Sequence, residues 1–199
     1  MLRPSWPNGD RMMKPTLWLC VAGLALAGCA AETPLPSTSR LPPLAMGSNG
    51  DQDIAAINLS SWAFGLPSRT ANDPVAGARA AAAVEYLAGE LERSPRWDYV
   101  SPLTKMQMLS ARAEVRRTLG VAPNAPSQPV VDGLIGTANA MAARDPAAAA
   151  QALSGPVFTR PPPQTLQVLS HLPYLQMANI ATQHASQQAY PEDGCPTCN

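Results

Sequence analysis

The sequence predicts a small all-α domain of about five or six helices over residues 51–188. Three observations carry that prediction. Apolar residues recur at helical spacing in several segments. Asp-Pro and Ser-Pro pairs open those segments, and Gly or Pro closes them. Runs of β-branched residues are short, and no turn dipeptide joins two alternating segments.

Asp51 to Phe64 forms the first segment, with Ile54, Ile57, Ser61 and Trp62 on the predicted core stripe; Gly65 and Pro67 end it. Asp73-Pro74 opens a stronger one, because an aspartate caps free N–H groups and proline fits the first helical position. Its Val75, Ala76, Ala80, Ala83, Val84, Leu87 and Leu91 keep the helical period until Ser94-Pro95. Ser101-Pro102 repeats the device. Met106, Met108, Leu109, Ala113, Val115 and Leu119 then form a broad apolar face, and Gly120 is placed to terminate it. After a loop bearing Pro123, Pro126 and Pro129 comes the cleanest amphipathic pattern: Val131, Leu134, Ile135, Ala138, Met141 and Ala142. Asp145-Pro146 opens a short Ala-rich helix that Gly155-Pro156 closes. The last stretch, 162–188, carries Leu166, Leu169, Leu172, Leu175 and Ile180, and Pro173 is expected to kink or divide it. A body of this size buries roughly two-thirds of its unfolded surface, enough for one core. The wide use of alanine predicts close helix packing.

The charge balance is neutral, with 14 basic and 14 acidic residues. It supplies no basic field, so binding nucleic acid through such a field is excluded. Leu17 to Gly28 is an uncharged, mostly apolar run of twelve residues behind Arg11 and Lys14. A spanning helix needs about 20 apolar residues, whereas this length and basic flank suit the core of a signal peptide. The run ends Leu26-Ala27-Gly28-Cys29, and there the chain resembles the bacterial lipoprotein signal.

The resemblance implies cleavage between Gly28 and Cys29 and a covalent lipid on the Cys29 sulfur, with no other cofactor. Small Ala27 and Gly28 would seat beside the scissile bond. Ala30, where an aspartate would retain the protein on the inner membrane, implies the outer membrane and a body facing the periplasm. A start at Met12 or Met13 rather than Met1 would give a leader of ordinary length. Residues 1–28 are then a removed signal peptide. Residues 29–50, with Pro34, Pro36, Pro42 and Pro43, are expected to form a lipid-anchored flexible tether reaching about 60 Å when extended. The bilayer is the first partner, held through more than one acyl chain.

Few side chains suggest chemistry. The expected flexible tail, 189–199, holds Cys195 and Cys198, whose spacing suits a disulfide, a soft metal or thiol exchange. Only Asn199 follows, so no helix N-terminus lowers the thiol pKa, and Glu192 and Asp193 oppose thiolate formation. A four-ligand metal set would need His171 and His184, which lie on either side of Pro173 without finger-like spacing. The G-x-S-x-G and H-E-x-x-H patterns of hydrolases are lacking. Glu85, Glu90, Glu92 and Glu114 read as solvent-facing helix charges. Lys105, Arg112 and Arg116 share a helix face, solvated or in contact with phosphates or peptidoglycan carboxylates. Trp97 and Tyr99 occupy an inter-helix loop, as a cover for the core or as partner anchors.

The sequence thus reads as a membrane-anchored periplasmic lipoprotein, a non-enzymatic interaction or scaffolding component of the cell envelope. Its partner would be another envelope protein or peptidoglycan. The alternative is a thiol-redox or metal-binding function at Cys195 and Cys198.

Overall fold

Side-chain caps set where the helices begin. In the computed structural model, which describes residues 37–190, Asp51 accepts from the N–H groups of Asp53 and Ile54. Asp73 accepts from Ala76, Ser101 from Thr104 and Asp145 from Ala148, with proline next in the chain each time. These caps open α1 (Gln52–Gly65), α2 (Pro74–Arg93), α3 (Pro102–Leu119) and α5 (Pro146–Ala152). The others are α4 (Ser127–Ala142), α6 (Pro162–Ser170) and α7 (Gln176–Gln188). The described residues therefore hold seven helices, because the stretch that contains Pro173 divides completely between α6 and α7. Gly120 takes φ 72° at the end of α3, the left-handed stop expected of it. Extended pairing among the described residues is confined to one isolated bridge, Val121 with Phe158.

α2 is the hub. It packs against α1, α3, α4 and α6, while α1, α2, α3 and α7 close a ring of neighbouring pairs, and α5 lies on α4. Ala80 through Gly89 are all buried, so this helix is enclosed around its whole circumference. Alanine and glycine permit that crowding. A Cβ on Gly77 would stand 2.1 Å from the Leu169 carbonyl oxygen, and one on Gly89 would stand 2.6 Å from that of Ser37.

The second approach corrects the expected tether. Residues 37–50 pack onto the body: Ala45 and Met46 are buried, the Ser37 and Ser127 hydroxyls lie 2.7 Å apart, and Arg40 N–H donates to Gln128. Among the described residues, the packed body therefore includes 37–50 rather than starting at 51. Prolines that suit an extended spacer suit an extended strap equally well, and burial of Ala45 and Met46, with Leu41 packed against the core, decides between them. The signal residues, Gly28 and Cys29, and the Cys195/Cys198 tail lie outside the described residues.

The buried face of α1 also differs from expectation. Ala56, Ile57, Ser60, Ala63 and Phe64 turn inward with Asp53, while Trp62 is 45% exposed. Apolar residues encircle this helix, so periodicity alone does not select one stripe. On α3, Met108, Ala111, Val115 and Leu119 are buried, but Met106 is exposed.

Candidate functional site

Two polar clusters join the helices. In the first, Glu85 of α2 meets Arg116 of α3. Arg116 Nε donates to Glu85 Oε2 at 2.9 Å, and Nη2 donates to Oε1. Arg116 Nη1 reaches the Pro123 carbonyl at 2.7 Å, and Nη2 lies 3.5 Å from the Ser127 hydroxyl. The Glu85 side chain is 2% exposed, so this pair is interior. Glu85 is not a solvent-facing charge, and Arg116 is not available to a partner. Burial on α2 brings the carboxylate inside, and only a facing guanidinium satisfies it there. Arg112, one turn earlier, is half-buried, with Nη1 enclosed and lacking a protein hydrogen-bond acceptor. Burial holds its guanidinium below the usual value, opposed by the field of Glu85.

The second cluster centres on Asp53. Its Oδ1 accepts from the Tyr86 hydroxyl; its Oδ2 accepts from Arg96 at 3.0 Å and from Trp97 Nε1 at 3.2 Å. Arg96 also pairs with Asp51 and lies 4.7 Å over the Trp97 ring. Trp97 is fully buried, so it is a core residue and not a surface anchor. Its indole N–H needs an acceptor there, and Asp53 supplies one. Tyr99, half-exposed, packs at 5.8 Å from the Trp97 ring. Burial, then the neighbouring Asp53 carboxylate, pushes the Tyr86 phenol well above its ordinary value. The hydrogen bond from Arg96 holds Asp51 below the usual carboxylate range.

Other predicted site residues have local roles. Glu114 accepts from the Ala178 N–H at 3.0 Å and so caps α7, which lacks a side-chain cap of its own. His184 Nδ1 lies 2.7 Å from Gln107 Oε1, between α7 and α3. His171 is exposed just past α6. Among the described residues, no group of three or more His, Cys, Asp or Glu could hold a metal.

Two of the concave surfaces among the described residues bear on function. One, of about 480 Å³, runs along the outer face of α1 between Met46 and Trp62. The other, of about 500 Å³, lies at the C-terminal end of α3, with Arg116, Arg117 and Arg160 among its walls. Arg160 lays its stem across Gly120, where a Cβ would come within 2.4 Å of it, and donates to the Thr118 carbonyl at 2.6 Å. Arg117 is exposed. Arg116 is neutralised by Glu85, so Arg117 and Arg160 give this pocket its positive character. The sequence singled out Arg112 and Arg116 on the same helix. The exposed Arg117 is one residue beyond Arg116, a rotation of about 100°. Arg160 becomes its neighbour where the Val121–Phe158 bridge and the Thr159 N–H donating to the Gly120 carbonyl join the two segments.

Comparison with protein-family models, curated proteins and solved structures gave no match. Among the described residues, no helix is long and apolar enough to cross a membrane.

Proposed function

We propose that the chain is a membrane-anchored periplasmic lipoprotein whose helical body acts as a non-enzymatic interaction or scaffolding component of the cell envelope. One observation carries this reading: the Leu26-Ala27-Gly28-Cys29 sequence closes a twelve-residue apolar core behind Arg11 and Lys14. Ala30 supports the outer membrane as the destination. Internal charges hold the body together: Glu85 to Arg116, Asp53 to Arg96, and Glu114 to the start of α7.

The surface best suited to an envelope partner is the pocket at the end of α3. Arg117 and Arg160 match a carboxylate, and peptidoglycan stem peptides present carboxylates to the periplasm. Cosedimentation with purified peptidoglycan sacculi tests this role. The wild-type protein is expected to pellet with sacculi. Arg117→Glu should remain in the supernatant while its urea midpoint is unchanged, because Arg117 is exposed. Equal pelleting of the two proteins, or none of either, contradicts the pocket as the contact.

A further inference from the structure

The outer face of α1 breaks the usual rule for a surface helix. Between Gln52 and Gly65 the only charged residue is Asp53, and it is buried. The outward stripe holds exposed Asn58 and Trp62 and half-buried Ile54, Ala55 and Leu59, with exposed Leu66 one turn on. A solvent-facing stripe is normally polar or charged. Here it lines a groove whose other wall is Met46 and Ser48, with Asp51, paired to Arg96, at the end where the helix starts. The turn leading into Met46 adds to the apolar surface. Leu44 takes φ 63° and is 52% exposed. A bulky side chain in the left-handed region is strained; the turn delivers Ala45 and Met46 to the core but leaves the Leu44 side chain itself outside it. At the groove's rim, exposed Tyr190 accepts from the Asn58 side chain at 3.0 Å.

We infer that this face, from Leu44 across the groove to Trp62, rests on the lipid bilayer. The inference builds on the proposed anchor at Cys29. From Cys29 to Ser37, where the described body begins, there are eight residue steps, which span at most about 28 Å when fully extended. The strap that follows, residues 37–48, ends as the wall of this same groove. A body on so short a leash meets the membrane at high effective concentration, so a shallow apolar surface suffices to hold it there. Trp62 and Tyr190 at the edge fit the chemistry of the interface, where amphipathic rings sit at headgroup level. A lipid surface also needs no complementary shape, which suits an open groove.

The mature chain from Cys29 contains two tryptophans, Trp62 and the fully buried Trp97. Trp62 is therefore a natural reporter. The lipidated protein is reconstituted in phosphatidylethanolamine vesicles with brominated acyl chains, and flotation confirms that it is bound. Emission is expected to fall relative to non-brominated vesicles, and Trp62→Phe is expected to abolish that fall. Flotation without Trp62 quenching overturns the inference and leaves the anchor intact. Concentration-dependent dimerisation with it would then assign the face to a second copy. Failure to float overturns the anchor, and this inference with it.

Discussion

Removing either member of the Glu85–Arg116 pair would leave a charge in the interior without its partner. Glu85→Ala or Arg116→Ala should destabilise the fold by about 3–5 kcal/mol, read as a shift in urea midpoint followed by circular dichroism. Combining Glu85→Leu with Arg116→Met should be milder than either single change, because no lone charge remains buried. A Glu85→Ala midpoint equal to wild type would contradict the paired arrangement. Tyr86 makes a second prediction at this scale. Its phenol titrates well above the ordinary 10.0 in the folded protein, through burial and then Asp53. A raised folded pKa means that the stability it contributes is present below pH 10 and declines as the pH rises beyond it. Urea midpoints between pH 8 and 11 should therefore fall for the wild type and fall less steeply for Tyr86→Phe. Parallel slopes would contradict this.

The sequence bears traces of the residue-level interior, though only in hindsight for some of them. Glu85 stands alone in the run Ala80 to Gly89, and a lone charge in an otherwise apolar helical run signals burial with a partner. Its partner lies 31 positions away on another helix, a separation that periodicity does not encode. Asp53 carries no local signal for the same reason, since Tyr86, Arg96 and Trp97 join it only through tertiary contact.

At the scale of elements, helix starts were legible because they are local. Asp-Pro and Ser-Pro fix the cap and the first turn within four residues, and α2, α3 and α5 begin where those pairs stand. The faces were legible where only one stripe is apolar, as on α4, whose Val131, Leu134, Ile135 and Ala138 are buried as expected. They were not legible on α1, where two apolar stripes compete and the neighbours α2 and α7 choose between them. Packing also reverses an ordinary helix rule at Gly77. Alanine is favoured over glycine by about 1 kcal/mol inside an exposed helix. Here the new Cβ would meet backbone of α6 at 2.1 Å. Gly77→Ala should therefore lower stability by about 1–3 kcal/mol, measured by thermal melting. A raised melting temperature would show that α6 does not lie on α2 as described.

On the scale of the whole molecule, the strap changes how the parts relate. The sequence suggested a long spacer that carries the body far from its anchor. Residues 37–50 instead belong to the body, through Ser37 at Ser127, Arg40 at Gln128 and Met46 in the core. Composition could not reveal this, because Pro and Ser favour extended chain whether it is free or laid against helices. If Cys29 carries the proposed lipid, a protein of this build would stay close to its membrane. That picture stands on Cys29. The measurement that bears on it most directly is the intact mass of the protein extracted from cell envelopes without reductant. A mature chain that begins at Cys29 and carries acyl groups is the predicted result. An unlipidated chain, or one that retains Leu17 to Gly28, would contradict it.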